Sequence, residues 1–316
     1  MIKRTLYFGN PAYLSLQRNQ LVIKLPEVEH SNDMSEVIKR EAVRTIPIED
    51  LGVIVLDNRQ ITLTQGLLAA LAEQTCALIT CDARSMPTSL TLPLVGNTLL
   101  HEHFEQQITS SIPLRKQLWQ QTMRAKINNQ AELLERDSNV TATCMRKWAN
   151  DVRSGDPDNL EGRAAAYYWK HLFTPQVQHF VRSRDGEYPN ALLNYGYAIL
   201  RAIVSRALVS SGLHPAIGIH HHNRYNAFCL ADDIMEPYRP FIDQLVLRLV
   251  RTYPQTQELT HELKAHLLGI PTLDVVIDGK RSPLVVAVTT TTASLVKCFA
   301  GEIRKVLYPE FSKPEL

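Results

Sequence analysis

The sequence predicts an α+β protein in which a mainly-β part comes first and a helical part follows. Three observations carry this. Short runs rich in β-branched and aromatic residues crowd the first 90 positions. Beyond residue 98 the apolar residues recur instead at helical spacing. Between the two lies MPTSLTLPLVGNT (86–98), a mixture of Pro, Ser, Thr, Gly and Asn that reads as a connection. A chain of 316 residues is long enough for two domains, each with its own core. The expected division is a mainly-β domain over 1–90, a linker at 91–98, and a helical domain over 99–316 that carries a small C-terminal β-hairpin.

Taken in order, TLYF, YLSLQRNQLVIKL, VIVLD and CALITCD are the strand signals, with QRNQ (17–20) as a hairpin turn. RTIPIEDLGVIVLDN holds one or two strands. Within ITLTQGLLAALAEQT, Leu63, Leu67, Leu68 and Leu71 fall at helical spacing and Thr64 is an N-cap candidate. HFEQQITSSIPLRKQLWQQTMRAKINNQAELLER reads as one long amphipathic helix with Leu118, Ile127, Leu133 and Leu134 on its apolar side. ALLNYGYAILRAIVSRALVSSG is apolar nearly all round, the mark of a central helix, and stops at Ser-Ser-Gly (210–212). FIDQLVLRLVRTY and HELKAHLLG add helices. LDVVIDGKRSPLVVAV reads as a β-hairpin turning at Asp278-Gly279, and SLVKCFAGEIRKVLY as a last helix.

Composition narrows the class. Hydrophobic residues make up 45% and charged residues 21%, which excludes a disordered or fibrous chain. The start, MIKRTLYFGNPAYL, lacks the apolar run of a secretory signal, and no stretch is expected to be long and apolar enough to span a bilayer. Five scattered cysteines without metal-type spacing fit a reducing cytoplasm. The net charge of +2 says little, but residues 115–206 carry 14 Lys and Arg against 9 Asp and Glu. Such a bias supports contact with a polyanion.

Two stretches carry candidate chemistry. In GIHHHNRYNAFCLADDIMEPYRP (218–240), Asp233 and Glu236 are three apart, so on a helix they share a face. His221 precedes them in a loop able to fold back. Oxygen donors with one imidazole favour Mg²⁺ or Mn²⁺ over zinc. The plainer alternative is a polar loop followed by an acidic first helical turn. Pro237 and Pro240 place Glu236 at an irregular point of the backbone. In DPDNLEGRAAAYYWKHLF (156–173), Asp158 or Asn159 caps a helix. With Asp158 as the cap, Glu161 can close a capping box. Alternatively Glu161 pairs with Tyr168 at i, i+7, near Arg163 and Lys170, a composition suited to nucleic acid.

NLEGRAAAYYW, NALLNYGYAILRA, GIHHHNRYNAFCLADDIMEPYRPFID and SLVKCFAGEIRKVLYP together resemble the CRISPR-associated adaptation integrase in its type II form, in the right order along the chain. The resemblance implies a β-sandwich-like N-terminal domain joined to an all-helical catalytic domain. It implies a homodimer made largely through the β domains. Two such dimers would flank a dimer of a small ferredoxin-like partner, a heterohexamer that binds double-stranded prespacer and CRISPR repeat DNA. The activity implied is insertion of the prespacer by 3′-OH transesterification at the leader–repeat boundary, dependent on Mg²⁺ or Mn²⁺. By motif, the acid–histidine–acid triad falls on Glu161, His221 and Glu236. Asp233 matches a further acidic metal position, and His220 and His222 are the one-residue alternatives to His221. Arg224 and Arg239 would hold DNA phosphates, with Arg163, Tyr168 and Lys170 as further DNA contacts. A water-using nuclease and a catalytically idle DNA scaffold are the competing readings.

Overall fold

A computed structural model describes residues 3–29, 39, 42–174, 176–177, 179–183, 188–254, 256 and 258–312. The chain divides into two units, Met1–Gly96 and Asn97–Leu316. In the first unit, β1 (Arg4–Phe8), β5 (Leu51–Leu56), β7 (Ala77–Cys81) and β8 (Pro87–Thr91) form one sheet in that order. All neighbours run parallel except β8, which is antiparallel to β7. The β5 run Leu-Gly-Val-Ile-Val-Leu is buried at every position, as a parallel strand covered on both faces must be. The second sheet has the order β4 (Arg44–Pro47), β3 (Gln20–Lys24), β2 (Ala12–Gln17), β6 (Ile61–Leu63).

Arg18 and Asn19 join β2 to β3 at φ of 49° and 59°. Two consecutive left-handed residues match the twist of a two-residue hairpin. Leu14 and Leu21 of one sheet, Leu51, Ile54 and Leu78 of the other, and Leu67 and Leu71 of a helix at Gln65–Glu73 make a single core. Thr64 caps that helix, its hydroxyl accepting from the Leu67 amide. Residues 92–99 form neither helix nor strand.

The second unit is helical. Numbering the helices from Pro26–Glu29 as α1 and Gln65–Glu73 as α2, it holds α3 (Leu100–Thr109), α4 (Ile112–Asp137), α5 (Thr143–Asp151) and α6 (Leu160–Leu172). They are followed by α7 (Asn190–Ser210), α8 (Cys229–Met235), α9 (Arg239–Thr252), α10 (His261–Leu267) and α11 (Leu284–Phe299). The single long helix expected from residue 103 is two helices. Ser110 and Ser111 take extended backbone, the Ser111 hydroxyl accepts from the Leu114 amide, and Pro113 occupies the first turn of α4. A proline there would block the carbonyl four residues back had the helix continued. The buried stripe of α4 runs through Leu118, Met123, Ile127, Leu133 and Leu134, and it includes Lys126 and Asn129.

Helix α7 is the central helix. A Cβ at Gly196 would meet Ile242 of α9 at 2.6 Å, so glycine permits the two helices to pack closely. By length and composition α7 could cross a membrane, contrary to expectation, but 72% of its apolar window is buried inside the protein. Strands β9 (Asp274–Ile277) and β10 (Lys280–Pro283) pair through a turn with Asp278 and Gly279 at φ of 50° and 72°. The following LVVAV is not strand: α11 begins at Leu284. Leu284, Ala287, Val288, Thr291, Leu295 and Cys298 are buried at helical spacing, and that burial overrides the β preference of valine. Gly301, at φ of 77°, stands just past the helix end, so GEIRKVLY is not helical.

Asp243 of α9 ties three helices together. Its two carboxylate oxygens accept from Tyr168 of α6 at 2.7 Å and Tyr197 of α7 at 2.5 Å. Burial raises its pKa from 3.8 to about 6 despite these donors. A raised carboxyl pKa contributes stability that is complete below pH 3.8 and lost as pH rises through about 6. Asp243→Asn removes that dependence. The stability of the variant minus that of the parent, from urea denaturation, is expected to climb by up to about 3 kcal/mol between about pH 4 and 7. A difference that stays flat over that range would contradict the assignment.

Candidate functional site

Glu161 stands at the start of α6, and its surroundings leave its carboxylate free of capping work. Asn159, in left-handed backbone at φ of 50°, is the N-cap, and its side-chain oxygen accepts from Gly162. Asp156 accepts from the amides of Leu160 and Glu161. Asp158 is turned to Arg153 instead. The first-turn amides are thus satisfied without Glu161, and no capping box forms.

Glu236 stands where α8 gives way to a tighter turn, Glu236–Tyr238, before α9 starts at Arg239. Pro237 supplies no amide there. Asn129 of α4 steadies the turn by donating to the carbonyls of Pro237 and Pro309 at 2.8 and 2.9 Å.

Both carboxylates reach the same ammonium. Lys126 Nζ lies 2.5 Å from Glu161 Oε1 and 2.7 Å from Glu236 Oε2. Arg239 pairs with Glu236 Oε1 at 3.0 Å and lies over the Tyr197 ring. Burial alone would raise the Glu236 carboxyl, but Arg239 and Lys126 outweigh it and hold the group below the usual range. Burial would lower Lys126 in turn, and the charges of Glu236 and Glu161 reverse that. Glu236 Oε2 is buried, and the Lys126 ammonium at 2.7 Å is its partner. Arg239 Nε is buried without an acceptor.

The three histidines part company. His220 stacks flat on Trp119, ring centroids 4.0 Å apart. His222 is exposed, its Nδ1 on the His220 carbonyl. His221 Nδ1 bonds Asp233 Oδ1 at 2.5 Å, which leaves Nε2 as the nitrogen able to act. That bond raises His221 above its ordinary pKa, whereas burial lowers His220. The charge of Glu236 acts on His221, and that of Glu161 on His220, so loop and carboxylates share one field. Gly218 makes the loop possible: a Cβ there would overlap the His221 carbonyl and lie 2.8 Å from Asp233 Oδ2.

Several candidates have other tasks. Asp233 is fully buried and accepts from the amides of Ile219, His220 and His221 as well as the His221 ring. Its oxygens are engaged in bracing the loop. Tyr168 is fully buried with its hydroxyl on Asp243, so it belongs to the core and cannot stack on DNA. Arg163 lies over the Trp148 ring, and Lys170 is exposed. Arg224 is exposed on the histidine loop, over the ring of the equally exposed Tyr225. Among the described residues no three His, Cys, Asp or Glu side chains close on one point as a metal cage. Lys126, Trp119 and Asn129 are the site residues that the sequence reading passes over. The signal for Lys126 was there: a lysine interrupts the apolar stripe of α4.

The family model for CRISPR associated protein Cas1 matches residues 6–271. The chain belongs to the Cas1 family. Over 269 residues it is 40% identical to a CRISPR-associated endonuclease Cas1 of Neisseria meningitidis, covering 85% of this chain and 83% of the relative. Among solved structures it resembles a casposase bound to its integration product, with a TM-score of 0.76 at 19% identity over 100% of this chain and 94% of that one. It also resembles a chain of a Cas6-RT-Cas1–Cas2 complex, with a TM-score of 0.73 at 19% identity, covering 96% of this chain and 36% of that one. At such identities the structural likeness establishes a Cas1-type α+β fold.

The bracing role of Asp233 has a measurable consequence. Asp233→Ala strands loop amides and frees the His221 ring, and it should destabilise the protein by on the order of 3 kcal/mol in urea. The same variant is expected to change Trp119 fluorescence as His220 leaves its stack. Unchanged stability and emission would refute the bracing role.

Proposed function

We propose that this chain is a metal-dependent DNA integrase that inserts short prespacer duplexes into a CRISPR array by transesterification at the leader–repeat boundary. The observation that carries the reading is the convergence of Glu161 and Glu236, from separate helices, on one buried positive charge beside the His221 loop. The relative named an endonuclease, and the neighbour bound to an integration product, support it. The residues fit a hard divalent ion: the donor set is carboxylate and imidazole, and Glu161 and Glu236 already turn oxygens to one cationic point, the Lys126 ammonium. Glu161, Glu236 and His221 would hold Mg²⁺ or Mn²⁺, which supplies Lewis-acid stabilisation of charge on the attacked phosphate.

The side chains account for the rest. With Nδ1 committed to Asp233, His221 presents Nε2 to the site, as a ligand or as acceptor of the attacking hydroxyl's proton. Arg239 has an unused Nε donor for a phosphate oxygen, and exposed Arg224 can grip the backbone in the bidentate manner of guanidinium. Arg163 and Lys170 extend the contact to neighbouring phosphates. The prespacer 3′ oxygen forms a bond to phosphorus as the leader's 3′ oxygen leaves and takes up a proton from solvent. No protein nucleophile is required.

In this reading the mainly-β unit serves as the homodimer contact and the helical unit as the catalytic domain. Two dimers flank a dimer of a small ferredoxin-like partner, and the Cas6-RT-Cas1–Cas2 complex offers a precedent in which Cas1 is assembled with Cas2.

Glu161→Gln, His221→Ala and Glu236→Gln should each reduce joining of a labelled duplex to a CRISPR plasmid at least about a hundredfold while circular dichroism stays unchanged. Full joining by all three variants would end the proposal. Gel analysis separates the alternatives, because a water-using nuclease yields shortened strands without new joints.

A further inference from the structure

Lys126 is at odds with its position. It lies on α4 between Met123 and Ile127, both fully buried, and is itself only 8% exposed. A lysine buried to this degree needs counter-charges, and it has two, Glu161 and Glu236. Two carboxylates brought to one point without a cation repel and are driven apart. The ammonium prevents this and keeps both oxygens turned to one point.

The formal charge of Lys126, Arg239, Glu161 and Glu236 sums to zero. On its own, then, the cluster draws a divalent cation weakly, since any ion approaching the carboxylates also approaches an ammonium. A phosphodiester alters the balance. It brings a negative charge that can take the ammonium over, and the flexible lysine stem with its rotatable donors allows the head to move between partners.

We propose that Lys126 is a resident counter-cation and positioning residue: it holds Glu161 and Glu236 converged until DNA arrives, then cedes the carboxylates to the metal and turns to the phosphate. This rests on the reading of Glu161 and Glu236 as metal ligands. Its consequence is that metal and DNA bind cooperatively, so the protein without DNA carries no loaded, reactive ion.

The test is Mn²⁺ binding, followed by electron paramagnetic resonance of the free ion, with the full chain, with and without a short duplex. The parent should bind Mn²⁺ weakly alone and at least about tenfold more tightly with duplex. Lys126→Met should bind about tenfold more tightly than the parent without duplex and gain much less from adding it. Equal affinity in the two proteins, with an equal gain from duplex, overturns the inference. Glu161→Gln separates this failure from failure of the metal reading: if that variant binds Mn²⁺ as the parent does, the ion is not held by Glu161 at all.

Should Lys126→Met not fold without metal, the parent still decides the matter. Its Lys126 ammonium should give a solvent-protected ¹⁵N resonance that is lost only when Mg²⁺ and duplex are added together. Persistence of that resonance in the presence of both overturns the inference.

Discussion

A buried ammonium shared by two glutamates is the constraint that organises the helical unit. Ions out of water are tolerated only when their charges and hydrogen-bonding capacity are met. Each element around Lys126 can be read as an answer to that demand. The first turn of α6 is capped by Asp156 and Asn159, so Glu161 is not drawn into capping. The break at Pro237 sets Glu236 at the seam between α8 and α9, and Asn129, one turn along α4 from Lys126, holds the seam by its carbonyl. Arg239 then sits three residues after Glu236 and meets its second oxygen. Helix α4 is therefore the rail on which the two acidic segments are aligned, and Trp119, further up the same helix, seats His220.

The histidine loop shows how one fully buried carboxylate can order irregular backbone. Asp233 accepts from three successive loop amides and from the His221 ring. An acidic side chain engaged in this way fixes which imidazole nitrogen is available. The three adjacent histidines therefore have three different chemistries. Stacking occupies His220, Asp233 orients His221, and solvent surrounds His222.

What could be read from the residues alone was what is decided locally. The Arg18-Asn19 and Asp278-Gly279 turns, the Thr64 cap and the apolar α7 each follow from neighbours in sequence, and each is present. The candidate site was legible in pieces: His221 and Glu236 share one short stretch, whereas Glu161 lies far from them along the chain and only resemblance linked it to them. Depth was not legible. Tyr168 does share a helical repeat with Glu161, yet spacing cannot tell a tyrosine facing solvent from one locked on Asp243. Lys126 left a trace, a charge within the apolar stripe of α4, but such a charge reads as a solvated residue until the helix is seen to be covered there. The valines after Pro283 suggested a strand because β preference is a statement about half-buried surface, and packing on the helical unit supplied a different one.

Two buried carboxylates in the same unit make the functional point by contrast. Asp243 and Glu236 are seven residues apart on adjoining elements, and both are removed from water. Asp243 is hydrogen-bonded by two neutral phenols, with Arg239 and Arg182 acting on it without an ion pair, and burial wins, lifting it to about 6. Glu236 is met by an ammonium and a guanidinium, and they win, holding it below the usual range. Phenols are sufficient to tie three helices together. Glu236 is kept ionised by two cations, and a cluster of buried ions is a poor way to gain stability, since apolar side chains of similar volume would serve as well or better. An arrangement that holds Glu236 charged, in the same protein that lets Asp243 drift toward neutrality, is therefore better explained by a need for the charge itself, which is what binding a divalent ion and a phosphodiester requires.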